Sequence, residues 1–589
     1  MPEAVRYRVS MSRPHSHLFE VEAAFPAGPD VLDAVLPVWT PGSYLVREYA
    51  RHLQDVTAVG PGGEPLPVQR TDKRTFRVKA EGRAVTLRYR VYAHELTVRT
   101  SHLDGSHGYF NGATLFLYTE ATRHHPHRVT VDAPEGWRTF CALEQQDGVF
   151  LAPDYDTLID SPFEVGPHWP LSFVAAGVPH EVVVWGDSPP DPDKLTTDLQ
   201  RICEAEARLF GGLPMKRYLF LVYLTDKGRG GLEHQASTAL LFPRASLQNS
   251  RGWEDFLTLA AHEYFHLWNI KRIKPRALVP FDYSQENYTT LLWAFEGMTS
   301  YYDNLFVRRA GLMSANRYLT RLGETLTTLH GTPGRRVQTL ADASLMSWIK
   351  HYRPDENSAN SAISYYLKGE VVCALLDLEL RRATGDAKGL DDAVRLLWLR
   401  YGDGSGVPEE ALEALMSEVA GKDLRAFFDR AVRSTEELDY SVFSHVGLEV
   451  GFRMRESATD KGGTPPPRKG SEAKPKGWVG LAFKGSATVA WVVEGSPAME
   501  AGLYPEDEVV ALDGYKVDGA GLLSRCEDRR PGETVRVTVF RRDKLMEFPV
   551  LLSQRPADTL YLSRVDKPTE AQKAAFQAWL GAAWDEAVG

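Results

Sequence analysis

Over the first 175 or so residues, apolar and polar positions alternate in short runs between turn-rich segments, as in Thr75-Phe76-Arg77-Val78 and Val85-Thr86-Leu87-Arg88-Tyr89-Arg90-Val91. Period two sends successive side chains to opposite faces, so these runs predict half-buried strands and a β-sandwich over residues 1–177. Within it, Pro37-Val38-Trp39-Thr40-Pro41-Gly42-Ser43-Tyr44 breaks the rhythm with two prolines and a glycine among aromatics. A structured loop is expected there, either an interface or a turn.

From 178 to 445 the period becomes helical, beginning with Asp193 to Leu199 and continuing through Ile202, Ala205 and Leu209. Tyr218 to Leu224 is apolar throughout, as a strand covered on both faces would be. It runs into Gly230-Gly231-Leu232-Glu233-His234, where paired glycines let the backbone come close to another chain and Glu233 follows on an edge. A plain hairpin turn is the alternative. The next helix carries a buried stripe of Phe256, Leu259 and Ala260, with Pro275 marking its end region. Leu291 to Tyr302 predicts an apolar helix, and another follows Ser361 to Glu370 with an apolar run from Val371 to Leu378. Between Glu456 and Gly477 the composition shifts to Gly, Pro, Lys and Ser, including Thr464-Pro465-Pro466-Pro467, which predicts an extended connection. A compact β-rich unit comes next, with Gly495 to Leu503 as loop and short helix and Asp507 to Gly514 as a strand entering a turn. Thr569 and Gln572 predict a capping box for a closing helix through Trp579.

Composition narrows the class. A chain of 589 residues is too long for one core, and 43% hydrophobic with 25% charged residues is the texture of a soluble globular protein. A net charge of −10 without a basic stripe excludes nucleic acid as the expected partner. Cys141, Cys203, Cys373 and Cys526 are scattered, with no CxxC pair, so buried thiols are expected and not a disulfide framework or a cysteine zinc site. The N-terminus enters strand-like alternation without a basic start, apolar core or cleavage site, and no stretch is long and apolar enough for a bilayer. A cytoplasmic protein without a membrane partner is the expectation.

The chemistry centres on Ala261-His262-Glu263-Tyr264-Phe265-His266. On a helix, residues four apart share a face, so His262 and His266 can turn both imidazoles to one zinc ion, with Glu263 beside the metal and free to handle protons. This is the HExxH pattern of zinc hydrolases. Glu296 is the single acid of an apolar helix, and a carboxylate buried alone costs several kcal/mol, so it should meet a cation or a metal. Thirty residues after His266, it can complete a His-His-Glu site with a fourth position for water, or form a core salt bridge. A hydroxyl from the Tyr365-Tyr366 pair can serve an oxyanion or simply belong to the core. Lys271, Arg272 and Lys274 follow the metal helix, placed to meet a peptide carboxylate or to complement the helix C-terminus. The loop from Ser101 to Gly112, with His102 and His107, and the cluster His124, His125 and His127 lack paired helical spacing and a dedicated acid. Neither is expected to hold a metal.

Five segments in order carry a resemblance: Trp39-Thr40-Pro41-Gly42-Ser43-Tyr44, Gly230-Gly231-Leu232-Glu233-His234, His262 through Trp268-Asn269-Ile270-Lys271-Arg272, Phe295-Glu296-Gly297, and Tyr366-Leu367-Lys368-Gly369. With them the chain resembles the glycyl aminopeptidase family, PDZ-containing gluzincin metallopeptidases related to aminopeptidase N. The segment from Gly495 to Gly514 separately resembles a PDZ domain. The resemblance implies an N-terminal β-sandwich (1–177), a thermolysin-like, mainly α catalytic domain (178–445), a PDZ-like domain (446–556) with a Pro/Gly-rich loop (456–477), and a helical tail (557–589). In such proteins the first PDZ strand often precedes an extended loop, so Gly447 to Val450 is expected in the PDZ unit.

The resemblance further implies one Zn2+ per chain on His262, His266 and Glu296, with Glu263 activating water and Tyr366 supporting the oxyanion. It sets Glu233 against a substrate's free α-ammonium, beside Gly230 and Gly231, with Lys271 and Arg272 as further candidates for substrate binding. His234 departs from the GAMEN pattern of related aminopeptidases. The implied activity is removal of small N-terminal residues, glycine or alanine, from peptides. The PDZ unit is expected to bind a C-terminal strand near Trp478-Val479-Gly480-Leu481 or to cap the active site. Two other classes are weighed: a PDZ-centred peptide-binding protein with weak or no peptidase activity, and a zinc hydrolase of a non-peptide substrate. Intact His262, Glu263, His266, Glu296 and Tyr366 disfavour the first, and Glu233 disfavours the second.

Overall fold

Leu18–Phe25 and Val85–Tyr92 bury every second side chain, Phe19, Val21, Ala23 and Phe25 from one and Val85, Leu87, Tyr89 and Val91 from the other. They pair antiparallel inside an eight-stranded sheet, whose strand Val5–Ser10 also runs parallel to His127–Asp132. A three-stranded sheet (Val31–Val35, Thr75–Lys79, Val68–Arg70) and a four-stranded sheet (Arg138–Cys141, Phe163–Gly166, Gly108–Phe110, Ser101–Leu103) complete this β-rich region. Inner-face residues of all three sheets, among them Phe19, Leu87, Ala34, Val78, Phe110 and Phe163, share one core. Each large aliphatic or aromatic side chain sequestered there contributes about 1.5–3 kcal/mol, which is what holds the layers together.

The computed structural model describes residues 2–457, 459–466 and 475–585. By contacts it divides into a unit of residues 1–288, 302–312 and 395–408 and a unit of residues 289–301, 313–394 and 409–589. No helix among the described residues is long and apolar enough to cross a membrane.

The first unit also contains a five-stranded mixed sheet in the order Leu171–Ala175, Val178–Trp185, Tyr218–Thr225, Ser237–Pro243, Gly230–Glu233. Its first strand lies before residue 177, so the hairpin it forms with Val178–Trp185 spans the expected domain boundary. Tyr218–Thr225 is central and buried on both faces, as its unbroken apolar run predicts. Leu219, Leu221 and Tyr223 meet Val98, Tyr109 and Phe140 on one side. Tyr218 and Phe220 meet Tyr264 on the other, with ring centroids 4.8 and 5.9 Å away. The loop from Pro37 to Tyr44 is a packed interface: Trp39 is fully buried and its indole N–H donates to the Asp282 carbonyl at 2.8 Å.

In the second unit the helix Tyr365–Thr384 packs against the π-helical turn Trp293–Gly297. Gly297 and Gly369 make the crossing close, since a Cβ added to Gly297 would lie 2.5 Å from the Cα of Gly369. The strands Leu481–Lys484, Thr488–Val492, Glu508–Leu512, Thr534–Arg541 and Lys544–Leu551 build a PDZ-like sheet over a separate core that includes Val489, Leu522 and Val537. Asn360 ties this sheet to the helices of the same unit, donating to the Val492 carbonyl (2.8 Å) and accepting from the Glu494 N–H (3.0 Å). Leu448–Arg453, which includes residues expected in the PDZ unit, pairs with Thr559–Arg564 as a two-stranded ribbon and not with the five-stranded sheet. The Pro/Gly-rich stretch lies partly outside the described residues; within them, the Gly463 N–H donates to the Leu560 carbonyl at 2.8 Å. The closing helix Glu570–Leu580 carries the expected capping box of Thr569 and Gln572.

Candidate active site

The HExxH segment occupies the end of the helix Ser250–Phe265. Asn249 starts that helix by accepting from the Gly252 N–H at 2.9 Å, and Phe256, Ala260 and Tyr264 bury its inner face. Tyr264 donates its hydroxyl to His180 Nε2 (2.8 Å), whose Nδ1 donates to the Val178 carbonyl, so the helix is pinned to the mixed sheet. The helix ends at Phe265 with His266 as its C-cap, ten residues before Pro275, because the backbone turns there to satisfy its last carbonyls locally.

His262 and His266 face each other with ring centroids 4.8 Å apart. Each has its Nδ1 committed: His262 to Asp303 Oδ2 (3.2 Å) and His266 to the Asn269 carbonyl (2.7 Å). An imidazole that donates from Nδ1 presents an unprotonated Nε2, the arrangement of metal-ligating histidines. The residues present therefore fit a metal ion. Behind Asp303, Glu206 on the helix Pro192–Phe210 is fully buried; burial first, and the Asp303 charge second, push its carboxyl well above the usual range.

Glu263 lies against the edge strand Gly230–Glu233. A Cβ on Gly231 would sit 2.0 Å from Glu263 Oε1, so with glycine this backbone passes the carboxylate without displacing it. Glu233, Glu263 and His266 offer ligand-type atoms within 4.8 Å of one another. Glu233 is 3% exposed, and its Oε1 has no hydrogen-bond partner among the described residues. Gly42, at φ +86°, backs onto that carboxylate: a Cβ there would lie 2.5 Å from Glu233 Oε1. Among the described residues, the sheet edge that carries Glu233 pairs on one side only, with Ser237–Pro243.

Lys271 and Arg272 are committed elsewhere. Lys271, 5% exposed, forms a 2.6 Å ion pair with Asp160, which also bonds His234 Nδ1 (3.2 Å) and the Gln235 N–H (2.8 Å). Burial raises the Asp160 carboxyl, but the Lys271 charge and the His234 contact outweigh it and hold it down at about 2. Arg272 donates to the carbonyls of Leu267 (2.8 Å), Pro214 (3.3 Å) and Gln235 (3.2 Å).

In the second unit Glu296 is 2% exposed on the π-helical turn, a local widening of the helix that is frequent at functional sites. Its charge acts on two neighbours. The Tyr366 hydroxyl is raised well above its usual value by burial and then by Glu296, and its oxygen lies 3.4 Å from the Tyr352 hydroxyl. Burial lowers His351, with Glu296 opposing, and the His351 ring lies 5.4 Å from that of Tyr366.

Asp303, Asp160 and His351 did not stand out in the sequence. Asp303 alone left a signal, seven residues after Glu296 and so on the same helical face. The other two are brought in from loops by packing, and nothing in their local sequence marks them.

Three family matches account for most of the chain: the peptidase M61 N-terminal domain over residues 6–167, M61 glycyl aminopeptidase over 255–372, and a PDZ domain over 448–552. Among solved structures, an aminopeptidase N family protein from Idiomarina loihiensis is 32% identical and superposes with a TM-score of 0.92, covering 98% of this chain and 100% of that one. An M1 zinc metallopeptidase from Deinococcus radiodurans is 14% identical with a TM-score of 0.47, covering 74% of this chain and 95% of that one. A probable periplasmic serine endoprotease, DegP-like, from Chlamydia muridarum is 40% identical over 73 residues, 12% of this chain and only 15% of the length of that relative. Continuity of the match to the Idiomarina protein from end to end, with both M61 segments and the PDZ segment in order, leads to one assignment: the chain belongs to the M61 glycyl aminopeptidase family of metallopeptidases, with a PDZ domain.

Proposed function

We propose that this protein is a zinc-dependent aminopeptidase that removes small N-terminal residues, glycine or alanine, from peptides. The observation that carries the exopeptidase reading is Glu233: a buried carboxylate with one oxygen unpartnered, walled by Gly42, beside Glu263. Such a group is costly to the free enzyme unless a cation completes it. A substrate α-ammonium supplies that cation, and an acylated amine does not.

In this reading His262, His266 and Glu296 hold one zinc ion per chain. Support comes from the two committed Nδ1 atoms and from Glu296, buried seven residues ahead of the Asp303 that orients His262. Zinc in such a site supplies Lewis acidity, bringing the pKa of water toward about 7 and polarising a scissile carbonyl. Glu263 takes the proton from the attacking water and returns it to the leaving amine. The Tyr366 hydroxyl, kept protonated by burial, donates to the oxyanion, a contribution of about 3 kcal/mol. Gly230 and Gly231 offer the substrate backbone an open strand edge against Glu263. A direct role for Lys271 and Arg272 in binding the peptide has less support, because both cations already have partners; we assign them to holding the turn after His266.

The domain limits 1–177, 178–445, 446–556 and 557–589 stay part of the proposal, as does a C-terminal peptide on the PDZ edge strand Leu481–Lys484, which among the described residues pairs on one side only. A cytoplasmic location has four buried, unpaired thiols as its support.

The test couples metal analysis to a panel of glycyl and alanyl arylamides with free and acetylated amines. Cleavage of the free forms alone is expected, and Glu263→Gln should retain zinc while losing turnover. Cleavage of acetylated substrates would make the enzyme an endopeptidase, and full turnover by Glu263→Gln would remove the general-base role.

A further inference from the structure

The hairpin Ser101–Leu103 and Gly108–Phe110, from which sequence spacing predicts no metal site, brings His102, Asp104 and His107 together at its turn. Their ligand-type atoms lie within 4.8 Å of one another, and the two imidazole centroids are 5.1 Å apart. His107 is fully buried and His102 is 6% exposed, while the Asp104 side chain is 33% exposed, so the cluster is closed on the histidine side and open at the carboxylate.

Hydrogen bonding fixes which ring nitrogens are free. His102 Nδ1 lies 3.0 Å from the His94 carbonyl, which can only accept, so Nδ1 is the donor. His107 Nδ1 donates to Glu164 Oε1 at 3.0 Å. In the neutral rings both Nε2 atoms therefore carry lone pairs. The Nε2 of His107 has no hydrogen-bond partner among the described residues. The Nε2 of His102 faces Asp104 Oδ2 at 3.3 Å, lone pair against carboxylate in the neutral ring, an arrangement completed by a proton or by a metal cation. That separation also suits a metal: two ligands about 2.0–2.1 Å from a tetrahedral ion sit about 3.3 Å apart.

The surroundings match the outer shell of a metal centre. One imidazole donates to a carboxylate and the other to a main-chain carbonyl, the two usual partners of ligating histidines. Glu164 is itself held by His168 Nε2 (2.7 Å) and the Tyr223 hydroxyl (3.1 Å), so the neighbouring group His107, Glu164 and His168 is saturated by hydrogen bonds and serves as support. Trp185 stacks on His107 with centroids 4.1 Å apart and donates its indole N–H to Ser106 Oγ at 3.1 Å, holding the turn against the mixed sheet. The remaining oxygen of Asp104 accepts from the N–H groups of Ser106 (2.7 Å) and His107 (3.1 Å), leaving Oδ2 for the ion.

We infer that His102 Nε2, His107 Nε2 and Asp104 Oδ2 form a second divalent transition-metal site, separate from the HExxH centre, with its fourth position open to solvent. Two imidazoles and one carboxylate suit zinc, cobalt or nickel in preference to calcium or magnesium, which take oxygen ligands. The role is structural. An ion here ties the two strands of the hairpin together at its turn, and the hairpin's Tyr109 shares a core with Leu232 of the mixed sheet.

The test is metal stoichiometry of the full-length protein, stripped with chelator and titrated with Co2+ followed by its visible absorption. The wild type should take two equivalents. Asp104→Asn keeps the carbonyl that caps the turn but loses the carboxylate, and His102→Gln removes an imidazole; each should take one equivalent and keep arylamidase turnover within about twofold. His262→Gln should also take one, with the absorption of the hairpin site. One equivalent in the wild type and none in His262→Gln would overturn the inference and leave the aminopeptidase reading standing. One in both the wild type and His262→Gln, lost in Asp104→Asn, would support the hairpin site and count against zinc at the HExxH helix. Unchanged stoichiometry in Asp104→Asn and His102→Gln would overturn it outright.

Discussion

Replacing Glu233 by glutamine should separate catalysis from stability, moving them in opposite directions. In the free enzyme the carboxylate is 3% exposed, with Oε1 unpartnered among the described residues, so neutralising it removes a desolvation penalty and the melting temperature should rise or hold. With substrate bound, the same change strips a desolvated charge from the ammonium. Truncating one partner of such a pair costs about 2–5 kcal/mol, against about 0.2–1 kcal/mol for a pair in solvent. Glutamine keeps one acceptor oxygen, which puts the expected loss near the middle, about 3 kcal/mol. At about 1.4 kcal/mol per decade this is about 150-fold in kcat/KM for a glycyl arylamide. The assay compares free and acetylated glycyl arylamides on both proteins, with a thermal melt of each. Preference for the free amine should fall by the same factor as kcat/KM. An unchanged preference would refute the assignment of Glu233 to the ammonium, and a lower melting temperature would refute the claim that the burial of its Oε1 costs the free enzyme stability.

Three further perturbations probe the surroundings. Asp303→Ala removes the acceptor that orients His262 and should weaken zinc retention about 10- to 100-fold in chelator competition, with turnover recovered at saturating zinc; unaltered retention would deny the orienting role. Gly42→Ala puts a Cβ 2.5 Å from Glu233 Oε1 in a left-handed conformation, at a cost of about 1–2 kcal/mol, and should lower both the melting temperature and kcat/KM, the latter by tenfold or more. Wild-type behaviour would mean that the loop does not wall the site. His180 is held down at about 4 by burial, below its unfolded value of 6.5, so the unfolded chain takes up the proton first as pH falls. Its contribution is complete above pH 6.5 and lost as pH falls through about 4, about 3 kcal/mol, because a protonated Nε2 no longer accepts from Tyr264. The urea midpoint should decline across that window and decline less in His180→Gln; parallel curves would contradict this account.

Strands such as Val85–Tyr92 were legible because one buried face imposes alternation wherever the strand pairs. The central strand Tyr218–Thr225 was legible for the complementary reason, burial on both sides. The partner of Leu448–Arg453 was not legible, because a short strand states its period and not its partner; Thr559–Arg564, more than a hundred residues away, is chosen by topology. The loop around Trp39 could not be told from a turn for the same reason, since the segment that buries it begins more than two hundred residues later, at Asp282.

By itself the sequence determined the HExxH register, the glycines at Gly230 and Gly231, and the capping box at Thr569, all consequences of helix pitch or backbone sterics within a few residues. Only the tertiary structure decided that Asp303 orients His262, that Gly42 walls Glu233, and that Lys271 is committed to Asp160. It also decided that His102 and His107 share Asp104 while Glu164 supports His107 from another strand. These contacts depend on strand register and loop closure across separations of up to almost two hundred residues. Local pattern carries residue type and pitch; which charge finds which partner is settled only when the sheets close.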